Sequence, residues 1–195
     1  MRIGRGLARA RRRGEGESAT WVLTWEAEGV APDGRRPFAF TSRLLARPEA
    51  SSPAGDSAPR EGAAPGGDPP PAAADLRGAL HRLDRETIRA YARASGDTNP
   101  IHLDDAAARA YGLGGVVAHG MLSLALVAAL AEEWAEADGR DLTGLSGRFV
   151  APVAAGERVQ AVGRTLDDGQ AEFWLVGEDG RVRLRGRAHR TAAEI

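Results

Sequence analysis

The chain has no cysteine, no lysine, few aromatic side chains and no apolar run long enough to cross a bilayer. Each absence removes a class of chemistry. Without cysteine there is no disulfide, no thiolate nucleophile and no thiolate-bound metal, a composition compatible with a reducing compartment. Without lysine, Schiff-base catalysis and pyridoxal phosphate attachment are excluded. All 26 basic residues are arginine, which beside the wealth of Ala and Gly reads as coding bias rather than function. The formal net charge of -1 removes bulk attraction to nucleic acid or to an anionic membrane surface. The longest apolar run, Met121 to Ala131, falls well short of the ~20 residues a spanning helix needs. The Arg-rich start lacks an apolar segment of its own, so no secretory signal is expected, and it reads as a basic surface strand rather than a transit peptide. The expectation is a soluble, cytoplasmic protein with neither membrane nor nucleic acid as a partner.

With 195 residues there is room for one ordinary domain and extra material. Residues 1–47 read as strands. Trp21, Leu23, Trp25 and Ala27 alternate with Thr20, Val22, Thr24 and Glu26, the period of a half-buried strand. Asp33-Gly34 supplies a turn, and Phe38, Phe40, Ser42 and Leu44 continue the alternation. Residues 48–75 carry prolines 48, 53, 59, 65, 69, 70 and 71 among Ala, Gly, Ser and Asp. Such a segment buries too little apolar surface to offset its ordering entropy, so a disordered linker is expected.

Residues 76–195 read as one α+β domain. A short strand is expected over 80–83, then a helix capped by Asp84, stapled by Leu83 against Ile88 and ended by Gly96. A second short helix, Asp105 to Tyr111, is capped by Asp104 and ended by Gly112. A long helix over 120–138 begins almost uniformly apolar, which requires other structure around it. Its acidic end, Glu132, Glu133, Glu136 and Asp138, opposes the helix dipole and implies a solvated terminus. Strands are expected over 149–153, 158–165, 170–176 and 181–190, with Asp168-Gly169 and Asp179-Gly180 as hairpin turns. One apolar helix followed by an antiparallel meander implies a sheet wrapped around that helix. Residues 5–47 and 157–190 share a pattern of an Arg-rich strand, a Trp-bearing strand, a turn and a returning strand.

The chemistry concentrates in Ser95-Gly96-Asp97-Thr98-Asn99-Pro100-Ile101-His102-Leu103-Asp104. Asp97 and His102 are not at the three- or four-residue offset that stacks side chains on a helix. A chain bending at Asn99-Pro100 aims both at one point. Asp97 falls just past a helix end, where a side chain is presented rather than packed. The second cluster, Ala118-His119-Gly120-Met121-Leu122, opens the long helix, and a helix N-terminus offers free N–H donors and a positive dipole end. Base, acid and helix N-terminus together suggest acid–base chemistry on a substrate carrying a carbonyl.

Both clusters, at their mutual spacing, closely resemble the MaoC-like branch of the hot-dog superfamily, which includes the (R)-specific, type 2 enoyl-CoA hydratases. The resemblance covers about residues 76–190 and also embraces Arg148-Phe149-Val150-Ala151-Pro152-Val153, which looks like the family's first post-helix strand. It implies a hot-dog fold, dimerisation through sheet edges as a homodimer or heterodimer, and reversible hydration of trans-2-enoyl thioesters. Position by position, Asp97 and His102 match the catalytic pair that activates water. Gly120 matches the glycine whose backbone N–H binds the thioester oxygen, and Asn99, Asp104 and His119 look like support. No cofactor is implied beyond the CoA thioester as substrate. The alternatives are an acyl-carrier-protein-dependent dehydratase of fatty-acid or polyketide synthesis, and a non-catalytic hot-dog partner subunit. Residues 1–47 resemble the closing strands of a truncated second hot-dog unit, or else extend the sheet of the complete one.

Plainer readings stand beside these. Asp97 alone is a turn former, His102 alone a packed histidine, and His119 a packing residue at the helix start. The histidines lack a short-spaced ligand pair, so no metal is expected. The Arg181 to Arg190 row reads as a solvated strand face, with CoA phosphates or an acidic carrier protein as its other possible contact. Trp21, Trp25 and Trp174 read as core or interface fillers.

Overall fold

The computed structural model describes the strands 2–13, 20–30 and 38–46, then residues 70, 74–167 and 169–192. Two compact units divide the chain, 1–56 and 57–195. In the first, β1 (Arg2–Arg13), β2 (Thr20–Val30) and β3 (Phe38–Ala46) form an antiparallel sheet in the order β1-β2-β3. The alternation around Trp21 and Phe38 therefore marks real strands. Trp21 and Trp25 as fillers, and the linker apart from Pro70, Ala74 and Asp75, lie outside the described residues.

The second unit runs β4 (Leu76–Arg82), α1 (Arg85–Ser95), a 3-10 turn (Pro100–His102), α2 (Asp105–Ala110), α3 (Gly120–Glu136), β5 (Arg140–Phe149), β6 (Arg158–Asp167), β7 (Gln170–Gly177) and β8 (Val182–Ala192). Its strands form one antiparallel sheet in the order β4-β6-β7-β8-β5. α3 lies across this sheet and touches every one of its strands. The inward face of α3 supplies Val127, Leu130, Ala131 and Trp134, which pack with Val159, Phe173, Leu175 and Leu184 from the sheet. Each large side chain taken from water here contributes about 1.5–3 kcal/mol. This is the sheet-around-helix arrangement of the hot-dog fold.

Local signals were read correctly at the helices. Asp84 caps α1 by accepting the Thr87 N–H at 2.8 Å, Leu83 and Ile88 are both buried, and Gly96 ends the helix at φ 74. A left-handed φ there favours glycine.

Three expectations need correction. The first post-helix strand is β5, Arg140–Phe149, rather than residues 149–153. Past Phe149 the regular pairing ends: Val150 and Ala151 N–H both donate to Arg183 O, at 2.8 and 3.2 Å, and beyond them Ala118 N–H bonds to Val153 O at 2.8 Å and Ala154 is bridged to Val117. The strand before α1 begins earlier than expected, at Leu76. The all-round apolar character of α3 does not enclose it, since Met121, Ala125 and Ala129 are exposed. The alanines there carry so little apolar area that exposing them costs little. The acidic end of α3 is exposed as expected, yet it is also countered. Arg190 stacks 4.0 Å over Trp134, donates to Trp134 O at 2.6 Å and pairs with Asp138 at 2.7 Å. That puts a buried cation at the negative end of the helix.

The β8 arginines alternate with buried Val182, Leu184 and Ala188 as the sequence implies. They are not simply solvated: the Arg183 side chain is 11% exposed and pairs with Glu157 and Asp179, and Arg187 pairs with Glu172. Trp174 fills a second cluster with Val162 and Val182, on the sheet face opposite Phe173 because neighbours on a strand point to opposite sides. Among the described residues, no helix is long and apolar enough to cross a membrane.

Candidate active site

α1 ends in a left-handed glycine, so the chain turns sharply and Asp97 emerges exposed. The turn is self-supporting. The Asp97 N–H donates to Ser95 Oγ at 3.2 Å, the Asn99 N–H to Asp97 Oδ1 at 3.2 Å, and the Ile101 N–H to Asn99 Oδ1 at 3.3 Å. Pro100 then opens the 3-10 turn that carries His102 inward, where it is 8% exposed. Asp104 starts α2, its carboxylate accepting the Ala107 N–H at 2.7 Å. Asn99 and Asp104 thus hold the turn and the helix start, with the His102 N–H donating to Asn99 O at 3.0 Å, and the bond to the His102 ring comes from elsewhere.

That bond is to the main chain. His102 Nδ1 lies 2.8 Å from Val117 O. A carbonyl only accepts, so Nδ1 carries the proton and the neutral ring keeps Nε2 as an acceptor. Burial pushes the His102 imidazole below its usual range, and the neighbouring His119 adds to this, while the Val117 carbonyl and the Asp97 charge oppose it. His119, 1% exposed, stacks on His102 with ring centroids 3.9 Å apart and planes at 29°. Its Nε2–H donates to the backbone carbonyl of Asp97 at 3.0 Å. Its Nδ1 is buried with no hydrogen-bond partner.

Asp97, His102 and His119 each bring one oxygen or nitrogen to within 4.8 Å of the others. Two groups that hydrogen-bond one water oxygen at about 2.8 Å in tetrahedral geometry lie about 4.6 Å apart. The cluster therefore has the spacing of groups that share a water. The three side chains are also the ones that could hold a metal ion.

His119 and Gly120 face different ways. His119 turns to the pair, and Gly120 lines a cleft of about 310 Å³ with Ala118, Ser123, Phe149, Val153 and Arg183. A Cβ on Gly120 would stand 3.2 Å from the half-exposed Phe149 ring. α3 starts without a side-chain cap, and its first turn has N–H groups with no intrahelical acceptor. All six residues singled out in the sequence lie between the end of α1 and the start of α3. Asp97, His102 and His119 come together, Gly120 adjoins them along the chain, and Asn99 and Asp104 shape the turn.

Two contributors escaped the sequence reading. The carbonyl of Val117 carries no side-chain signal. Tyr91 of α1 is the other. Its ring sits 4.9 Å from that of His119, and burial together with the Asp97 charge raises its hydroxyl above the usual range.

Comparison with known proteins identifies the family. Residues 68–179 match the family described as the MaoC like domain. The chain is 41% identical over 85 residues to 3-hydroxyacyl-thioester dehydratase X of Mycobacterium tuberculosis, covering 44% of this chain and 27% of that one. It is 37% identical over 107 residues to fatty acid synthase subunit beta of Saccharomyces cerevisiae, covering 52% of this chain and 5% of that one. The chain thus spans only a small part of either relative. Among solved structures, R-hydratase PhaJ1 from Pseudomonas aeruginosa matches with a TM-score of 0.50 at 27% identity, over 60% of this chain and 79% of that one. With more than half its length matched by the family model and a five-stranded sheet folded around one helix, the chain belongs to the MaoC-like dehydratase domain family.

Proposed function

We propose that the unit spanning 76–195 hydrates trans-2-enoyl thioesters, and in reverse dehydrates (R)-3-hydroxyacyl thioesters, with CoA as the thioester carrier. The observation that carries the reading is the cluster of Asp97, His102 and His119 within 4.8 Å, in which the Val117 bond commits His102 to the tautomer with Nε2 as an acceptor. Asp97 acts mainly as base toward the water that adds at C3. His102 orients that water through Nε2, and the one proton that Asp97 takes from the water passes by way of Nε2 to C2. As C2 accepts its proton, the electron pair shared with the thioester oxygen forms the new C2–H bond and the carbonyl is restored. The N–H of Gly120, at the uncapped start of α3, stabilises that oxygen while it is charged. The apolar cleft beside Gly120 takes the thioester. His119 holds Asp97, while Asn99 and Asp104 hold the turn. The reaction needs no metal or other cofactor, because water, an acid–base pair and an oxyanion donor supply each step.

Short trans-2-enoyl-CoA should lose its enoyl absorbance on incubation with the protein. Asp97→Asn and His102→Ala should each lower kcat about 100-fold or more, the range of a lost general acid–base group. Variants as active as the wild-type chain would refute these roles.

The similarity to a fatty acid synthase subunit favours a second reading, in which the same site works on acyl-carrier-protein thioesters. Comparing CoA and carrier-bound substrates at matched concentration separates the two. In the five-stranded sheet β4 and β5 are the edges, and pairing through such an edge gives a homodimer or heterodimer.

A further inference from the structure

Three pieces of chain meet at the site: the end of α1, the turn leading into α2, and the loop 112–119. The loop has little of its own to hold it, since Gly112, Gly114 and Gly115 bring no side chain. Its backbone is tied outward, Ala155 N–H donating to Val116 O at 2.9 Å and Ala118 N–H to Val153 O at 2.8 Å. These bonds lead away from Asp97 and His102. Toward them, Val117 N–H reaches Ile101 O at 3.3 Å, and the shorter tie is made by Asp105 in the first turn of α2. Asp105 Oδ1 accepts the Val116 N–H at 2.9 Å. Arg85, at the start of α1, places Nη2 at 2.8 and 2.7 Å from the two oxygens of the same carboxylate. The loop presses close enough that a Cβ on Gly115 would stand 3.0 Å from Asp105 Oδ1.

The residue after Val116 is the one whose carbonyl receives the His102 proton. We infer that Asp105, held by Arg85, is a positioning residue that fixes the Val117 carbonyl and thereby the tautomer of His102. One carboxylate so joins the helix that delivers Asp97, the turn that delivers His102 and the loop that delivers both Val117 O and His119. Asp105 touches no reacting atom in this scheme. Its carboxyl is held below the usual range, first by Arg85 and then by the Val116 N–H, so it is charged when it accepts. A charged acceptor makes the stronger bond. The inference rests on the acid–base reading of His102, but the ring nitrogens report on it whether or not the substrate is right.

The test uses the full chain, ¹⁵N-labelled, with the His102 ring nitrogens followed by long-range proton–nitrogen spectra at pH 8. The wild-type chain should show a protonated Nδ1 and a bare Nε2. Asp105→Ala should shift His102 toward a tautomer mixture and lower kcat about tenfold with little change in KM, as a small misplacement of a catalytic group does. Asp105→Asn keeps an oxygen for the Val116 N–H and should retain the wild-type tautomer. Asp105→Ala with wild-type ring shifts and wild-type kcat would overturn the inference. If that variant does not fold, Arg85→Ala removes only the outer end of the clamp. A tautomer shift there supports the inference, and an unchanged spectrum overturns it. A tautomer shift in a chain that turns over no enoyl thioester sinks the reaction and leaves the clamp standing.

Discussion

Replacing His119 by Phe keeps a planar ring at a position only 1% exposed and removes only its nitrogens. Two stability effects follow, of opposite sign. The Nε2–H bond to Asp97 O at 3.0 Å is lost, at a net cost of about 0.5–1.5 kcal/mol. The buried, unpartnered Nδ1 disappears as well, and its desolvation penalty of about 1–3 kcal/mol with it. Phe is the larger ring, and overpacking of about 1 kcal/mol or more opposes that gain. The stacks on His102 and Tyr91 survive. Folding stability should therefore stay within about 2 kcal/mol of the wild-type value. Activity should not. Once the His119 bond is gone, Asp97 is held by its bonds to Ser95 and Asn99, both 3.2 Å long and both within its own turn. A displacement near 1 Å costs about 100-fold in rate, so kcat should fall about 10- to 100-fold. Urea unfolding and initial rates on enoyl-CoA measure the two separately. A folded variant with wild-type kcat would show that His119 does not position Asp97. A stability loss beyond about 3 kcal/mol would show that the penalty on Nδ1 was misjudged.

Two further outcomes follow from burial and from packing. Because burial in the folded state holds the His102 imidazole below its usual range, it binds fewer protons than the unfolded chain in the window just below that range. Stability should thus rise with pH through the window and be lost as pH falls through it. His102→Gln should flatten this slope in unfolding free energies measured across the window, and identical slopes would refute the reading. Gly163 on β6 faces Phe173, and a Cβ there would lie 2.7 Å from the ring of that fully buried residue. Gly163→Ala should cost about 1–3 kcal/mol by overpacking with kcat unchanged, and a thermal melt that does not move would refute it.

Much of the fold, and the turn that shapes the candidate site, could be read because their causes are local. Asp84, Leu83 with Ile88, and Gly96 each act within one helical turn, so α1 and the emergence of Asp97 follow from near neighbours. β5 was misread for an equally physical reason. Gly144, Ser146 and Gly147 weaken its strand signal, and its pairing with β8 shifts register between Leu142 and Gly144, which breaks the alternation. Gly147 has a tertiary purpose, since a Cβ there would stand 2.9 Å from Leu124 of α3. The Asp105 contacts to Arg85 and Val116 span 20 and 11 positions, and no periodicity reports contacts that distant. The same holds for the Val117 carbonyl, which is invisible as a residue type and accepts from His102 Nδ1 across 15 positions.

The two stacked histidines each give one N–H to a backbone carbonyl, His102 to Val117 and His119 to Asp97. A neutral imidazole has a single N–H, so each ring keeps only an acceptor for anything else. An ionised carboxylate is an acceptor as well. On the hydratase reading, the resting cluster of Asp97, His102 and His119 thus offers acceptors and no side-chain donor. It can take a proton from a water, and it cannot give one until it has done so. Hydration then begins with the cluster as base toward water and ends with the acquired proton on C2. Dehydration must begin by taking the C2 proton, which is the proton the departing hydroxyl then needs. The same groups serve both directions in opposite order because the backbone carbonyls have already claimed every other proton the rings carry.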